Sequence, residues 1–208
     1  MKKYQDHYFK QAKKDNYPAR SVYKLQEINK RFGILKPGRK VLDLGAAPGS
    51  WTLYAAKIVG QGGIVLGVDL QEANAAFPAN VRFLVGDVFN PPAEVLAAME
   101  ELAPFDAVVS DMAPKTSGII FRDQAFSFDL CVRALEVADK HLARGGNFVA
   151  KIFEGPDVRQ FAAMLRERFE TVKNFKPKSS RSESKETFYI GIGFKGAPAE
   201  PPWDRDQA

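Results

Sequence analysis

Three aspartates, one glycine-rich turn and one misplaced lysine are where this sequence could do chemistry. Asp69 closes GVDL, Asp87 lies in VGDV and Asp111 follows VVS, so each acid ends a short apolar run. Where such runs are parallel strands, their C-terminal ends share the edge at which open α/β sheets bind ligands. A carboxylate placed there can accept hydrogen bonds from ribose hydroxyls or from an exocyclic amine. Ahead of them stands KVLDLGAAPGSW (40–51), a buried-strand pattern that breaks at Gly45-Ala46-Ala47-Pro48-Gly49 and continues as a helix from about Ser50. Small residues at a strand-to-helix turn let backbone N–H groups approach a ligand closely. The lysine is Lys151, set among Phe148, Val149, Ile152 and Phe153, where an unpaired charge would be costly. Alone, it reads equally well as an ion-paired or snorkelling lysine; near Asp111 it becomes a candidate catalytic residue.

These features narrow the ligand. The turn departs from G-x-G-x-x-G by its proline and missing middle glycine, which weakens the case for a pyrophosphate, and no G-x-x-x-x-G-K-[ST] occurs. A single strand-end aspartate is more often a loop or helix cap. Three in succession behind a glycine-rich turn fit a nucleoside cofactor without pyrophosphate. Asp69 would take the ribose, Asp87 the adenine amine, and the acids together would favour a cationic group. S-adenosylmethionine, a nucleoside carrying a sulfonium, has that shape. Gly45, Ala47, Pro48, Gly49, Asp69, Asp87 and Asp111 form its expected binding set, with Trp51 packing on the adenosine or closing the pocket.

The elements that must position these residues alternate. Strand patterns cover 41–44, 64–70, 81–85, 107–110, 147–153, 170–175 and 187–194, and helical patterns fall near 50–60, 92–102, 123–143 and 156–168. The 69–81 link contains Pro78 and gives no clear helix. Before the first strand, Val22, Leu25, Ile28 and Phe32 are spaced as one helix face, while residues 4–16 read as a short helix or a flexible arm. Alternation predicts an α/β fold: a Rossmann-like, mostly parallel seven-stranded sheet with helices on both faces. The last two runs, joined by a short loop, predict one reversed strand. Cys131, at helical spacing with Ala134, Leu135 and Ala138, is expected in the core.

Composition sets the outer limits. A chain of 208 residues, 45% hydrophobic, can bury one full core. The expected division is a basic arm over 1–18, one catalytic domain over 19–195 and a Pro-rich flexible tail over 196–208. No run approaches the ~18 apolar residues of a membrane span, and the N-terminus lacks the apolar segment of a secretory signal. One cysteine and two histidines make a disulfide framework and a zinc site poor expectations. Together these predict a soluble, cytoplasmic protein without a metal; a monomer is the working expectation, which composition does not fix. The net charge of +5 is unevenly placed: residues 1–24 carry seven basic against two acidic residues, and 173–185 five against one. Two basic clusters on a mildly acidic body suggest a polyanion surface.

With these motifs in view the sequence resembles the FtsJ-type (RrmJ-like) RNA ribose 2′-O-methyltransferases over roughly Tyr8 to Phe194. The resemblance rests on RSVYKLQEI (20–28), VLDLGAAPGSW (41–51), VSDMAPKTSG (109–118), FVAKIFEG (148–155) and KPKSSRSESKET (176–187). It implies a catalytic set of Lys24, Asp111, Lys151 and Glu186, with S-adenosylmethionine as methyl donor. It also implies an RNA substrate: a uridine of the 23S rRNA, free or in the large ribosomal subunit. Lys151 would be the base for the 2′-hydroxyl, with desolvation and the like charge of Lys24 favouring its neutral form. Asp111 and Glu186 pull the other way and would orient, while Lys24 would steer the substrate. The loop from Lys176 to Lys185 and the basic arm would hold RNA through phosphate contacts and stacking. The family's usual second glycine is Ser50 here. Two other readings stay open: a base- or protein-N-methyltransferase, which leaves the two lysines unexplained, and a non-catalytic RNA-binding ribosome-assembly factor, which leaves all four residues unexplained.

Overall fold

The computed structural model describes residues 2–181 and 183–198. Ser182 of the basic loop, and the tail from 199 onward, lie outside the described residues. The order is α1 (Lys2–Lys14), α2 (Val22–Phe32), β1 (Lys40–Leu44), α3 (Ser50–Val59), β2 (Ile64–Asp69), β3 (Val81–Val85), α4 (Ala93–Leu102), β4 (Phe105–Ser110), α5 (Ile120–His141), β5 (Leu142–Phe153), α6 (Val158–Arg168), β6 (Phe169–Phe175) and β7 (Glu186–Phe194).

The seven strands form one sheet in the order β3-β2-β1-β4-β5-β7-β6. Pairings from β3 through β5 are parallel, and β7 runs antiparallel to both β5 and β6. The expected seven-stranded sheet with one reversed strand is therefore present. Reversal has a consequence for the site: the start of β7, not its end, lies at the C-terminal edge of the parallel strands, where Glu186 stands opposite Phe153.

Each face buries its own apolar layer. On one side, Leu25 and Ile28 of α2 and Trp51, Ala55, Ala56 and Val59 of α3 pack on Val41, Val65, Val109 and Phe188. On the other, α4, α5 and α6 bring Val95, Met99, Cys131, Leu135, Phe161 and Leu165 onto Leu42, Leu66, Val108 and Phe148. Central strands buried on both faces need largely apolar runs, which these have apart from Asp43 in β1 and Lys151 in β5. Gly67 of β2 is where α3 comes closest to the sheet: a Cβ there would lie 3.2 Å from both Ala46 Cβ and Thr52 Oγ1. The N-terminal segment is a helix, seated through Tyr8 and Ala12 on Val22 and Tyr23.

Two boundaries differ from expectation by three residues or more. Helix α5 begins at Ile120, three residues early. Strand β5 begins at Leu142, which pairs with Phe105 before a register shift; the ladder resumes at Asn147 against Ala107. Gly145, at φ +76°, sits in that excursion and hides the first pairing from a periodicity reading. The 69–81 link carries no helix. No helix among the described residues is long and apolar enough to cross a membrane.

Candidate active site

The turn after β1 is held from below by β2. Gly45 and Ala46 donate to the carbonyl of Val68 at 2.9 and 3.2 Å, and Ala47 donates to Asp69 Oδ2 at 2.9 Å. Asp69 Oδ1 accepts from Gln71 N at 2.8 Å, and Asp87 Oδ1 from Phe89 N at 2.9 Å, which fixes both carboxylates at the sheet edge. Gly45 has φ +76°, and a Cβ on it would lie 2.6 Å from Met112 Cγ. No other residue type fits between this turn and the Asp111–Met112 segment.

In front of the turn opens a cavity of about 1250 Å³ lined by Gly45, Ala47, Asp69, Asp87 and Asp111, with Phe89 and Met112 among its apolar walls. Ligand pockets usually run to about 300–1,000 Å³, so there is room for a nucleoside cofactor and part of an acceptor. Three carboxylates beside apolar walls suit the ribose, amine and sulfonium of S-adenosylmethionine, and the residues present fit that group. The other three expected binding residues stand off the wall. Gly49 caps α3 at φ +107° and faces Phe77, and Pro48 contributes no surface to the cavity. Trp51 does not line the cavity. It is 3% exposed, packs on Phe188 at 5.9 Å and donates its indole N–H to Ser21 O at 2.9 Å. Its physical task is to tie the approach to α2 onto α3, helped by Ser50, whose Oγ accepts from Ala19 N at 2.7 Å.

That tie aims α2 at the C-terminal edge of the parallel strands. Lys24 Nζ lies 2.5 Å from Glu186 Oε1 and Lys151 Nζ lies 2.9 Å from Asp111 Oδ1. Lys151 directs a hydrogen bond to the Asp111 carbonyl at 2.6 Å, so Asp111 Oδ1 has charge contact but no directed donor. All four side chains are largely buried. Burial alone would raise the Glu186 carboxyl, but Lys24 and then Lys151 outweigh it and hold it below its ordinary value. The structure thus brings the whole set of Lys24, Asp111, Lys151 and Glu186 together from α2, the residue after β4, β5 and β7.

Some residues of this region escaped sequence reasoning. Glu27, one turn beyond Lys24, accepts from Lys178 N at 2.7 Å and Ser179 N at 2.9 Å. Arg20, one turn before it, donates to Ser179 O at 2.7 Å. Lys24 and Glu27 lie three residues apart on α2 and Arg20 in the turn that leads into it, but their partners lie more than 150 residues away. Arg20 Nη1 and the Ser179 hydroxyl are buried with no hydrogen-bond partner among the described residues, while the Ser180 hydroxyl faces the Glu186 carboxylate. The other omission is Asp43, wholly buried in β1. Its Oδ2 accepts from Thr52 Oγ1 at 2.6 Å, and its Oδ1 has no partner. Burial, then repulsion from Asp111 and Asp69, pushes it up to about 7 against the Thr52 hydrogen bond.

The family model of FtsJ-like methyltransferases matches residues 17–194. This chain belongs to that family. All five motif stretches fall inside the matched span. Among relatives, the ribosomal RNA large subunit methyltransferase E of Oleidesulfovibrio alaskensis is 63% identical over 198 residues, covering 95% of this chain and 96% of the relative. That of Lawsonia intracellularis is 46% identical over 195 residues, covering 94% and 98%. A crystal structure of a Plasmodium falciparum ribosomal RNA methyltransferase superposes with a TM-score of 0.76 at 24% identity, covering 86% of this chain and 100% of that one. It shares the methyltransferase fold with this FtsJ-like chain.

Proposed function

We propose that this FtsJ-like methyltransferase transfers a methyl group from S-adenosylmethionine to the ribose 2′-oxygen of an RNA nucleotide, a uridine of large-subunit (23S) ribosomal RNA. The observation that carries this reading is the pair of buried ion pairs, Lys151–Asp111 and Lys24–Glu186, at the edge of the cofactor cavity. A base- or protein-nitrogen acceptor gives those lysines no work, and a non-catalytic RNA-binding factor gives the cavity none.

Gly45, Ala47, Asp69, Asp87 and Asp111 hold the cofactor, which supplies an electrophilic methyl on sulfur. The chain's own residues prepare the acceptor. A 2′-hydroxyl is a poor nucleophile until it loses its proton, and Lys151 Nζ, as the neutral amine, accepts that proton. Asp111, through its carbonyl and carboxylate, fixes where Nζ points. Glu186 stays ionised and holds Lys24 against the incoming ribose or its phosphate. Base assistance of this kind is worth about 10²–10⁴-fold, with alignment of the reactants supplying much of the rest.

RNA is held through the basic arm over residues 1–18 and the loop from Lys176 to Lys185. Support comes from the buried donors Arg20 Nη1 and Ser179 Oγ, which have no hydrogen-bond partner among the described residues and suit phosphate oxygens. Residues 19–195 act as one catalytic domain. All four catalytic residues come from one chain, which fits a monomer working in the cytoplasm where ribosomes are built. Mapping 2′-O-methylation on large-subunit rRNA with and without this protein tests the reading: one ribose should lose its methyl, and loss of none overturns it. Lys151→Ala should abolish transfer while cofactor affinity holds; near-normal turnover would overturn the base assignment.

A further inference from the structure

The rim of the cavity carries a feature that neither cofactor binding nor proton transfer uses. Between Asp111 and α5 the chain passes through Ile119, Ile120 and Phe121, which are 58%, 53% and 77% exposed, and Phe126 one turn later is 45% exposed. In a chain that buries its other aromatic rings in numbers, four large apolar side chains together in solvent mark an interaction surface.

The segment is also held rigidly. Asp123, on the inward side of the same helical turn, accepts from Ser117 N at 2.8 Å and from Ser117 Oγ at 2.7 Å, while Ile119 N donates to Ser117 Oγ at 3.2 Å. Gln124 donates to Glu154 O at 2.6 Å, fastening the helix start to the end of β5, three residues beyond Lys151. Inward polar residues therefore anchor the turn and leave Phe121 facing out. The Arg122 guanidinium lies over the Phe126 ring at 5.4 Å, and Lys115, Arg122 and Phe126 all line the cavity.

We propose that Phe121, flanked by Ile119, Ile120 and Phe126, is a base-stacking step for the RNA strand beside the target nucleotide, with Lys115 and Arg122 on its phosphates. The proposal rests on the RNA reading above and deepens it. An RNA strand is the occupant that fits. Its bases offer π-faces to an exposed ring whatever their sequence, its phosphates match the two cations, and the patch is continuous with the cavity the acceptor ribose must reach. An apolar protein partner would have no use for cations at the same rim.

The test is equilibrium binding of protein-free large-subunit rRNA over a salt series, together with methyl transfer into rRNA and into assembled large subunits. Phe121 is exposed, so Phe121→Ala folds. It should weaken rRNA binding and raise the KM for rRNA about 5- to 100-fold, with kcat and cofactor Kd unchanged. Its slope of log affinity against log salt should match the wild type. Phe121→Trp should restore binding. Arg122→Ala should instead flatten the salt slope by about one. Wild-type affinity of Phe121→Ala for protein-free rRNA overturns the proposal. So does a defect confined to assembled subunits, which would point to a ribosomal protein. A wild-type chain that binds rRNA but transfers no methyl would sink the ribose-methylation reading while the binding comparison still decided the stacking step.

Discussion

Replacing Asp43 with Asn should change how stability depends on pH, in a direction opposite to that of an ordinary carboxylate. Asp43 is sealed in β1 with one oxygen on Thr52 and the other unpaired, and its folded value lies near 7 against 3.8 for the free side chain. Between those values the folded chain keeps a proton that the unfolded chain has lost, so stability falls as pH rises across that window. One proton corresponds to about 1.4 kcal/mol per pH unit. From pH 5 to 6.5 the wild type should therefore lose about 2 kcal/mol relative to Asp43→Asn. Above about 7 the difference should level off. His141 works the other way, since burial and then Lys140 depress its imidazole, but it is common to both proteins and cancels in the comparison. Urea unfolding of the cofactor-free protein at pH 5, 6.5 and 8 measures the difference directly. A gap between the two proteins that stays constant across those pH values would refute the argument, and would mean that Asp43 is ionised, with Oδ1 solvated by water, throughout.

Other consequences are as direct. Gly45→Ala forces a Cβ to 2.6 Å from Met112 Cγ at a positive φ, so calorimetry should find cofactor binding weakened at least tenfold and the fold destabilised by about 1–2 kcal/mol. Trp51→Phe keeps a ring on Phe188 but loses the bond to Ser21. It should cost about 1 kcal/mol of stability and leave cofactor Kd unchanged; a tenfold rise in Kd would return Trp51 to the pocket. Glu186→Gln should lower methyl transfer without touching cofactor affinity. Because the folded Glu186 value is depressed, its stabilisation is present above the ordinary carboxylate range and is lost as pH falls through the folded value. Wild type and Glu186→Gln should therefore converge in stability under acid, and parallel acid-unfolding curves would contradict this.

What the sequence made legible, and what it hid, follows from how far each inference had to reach. The acids at 69, 87 and 111 could be found because a strand's end is a local feature, and parallel strands send every such end to one edge. Lys151 could be found because a charge inside an apolar run needs a partner. The same logic applies to Asp43, which interrupts Val41, Leu42 and Leu44 and whose partner, Thr52, lies beyond the adjacent turn. Trp51 is a related case. Nearness to the turn says nothing about direction, whereas the helix period does: Trp51, Ala55, Ala56 and Val59 share one face, and that face is buried against the sheet. The bonds of Arg20 and Glu27 to the 178–179 backbone join segments at opposite ends of the chain, and no local pattern announces them.

The reversed strand decides the rest. Had β7 run parallel to β5, Glu186 at its start would have lain at the opposite edge of the sheet, a strand's length of about 25–30 Å away at ~3.3 Å per residue. Because it runs antiparallel, Phe153 pairs with Glu186 and Lys151 with Phe188, and the loop from Lys176 to Lys185 arrives at the same edge as the cofactor turn. One topological choice therefore delivers both the carboxylate that holds Lys24 and the loop proposed to hold RNA. The parallel half of the sheet builds the cofactor cavity, and the antiparallel half, with α2 tied down by Ser50 and Trp51, builds the acceptor side. Swapping the turn would alter how the cofactor is held; altering the 176–186 connection should change which acceptor is methylated.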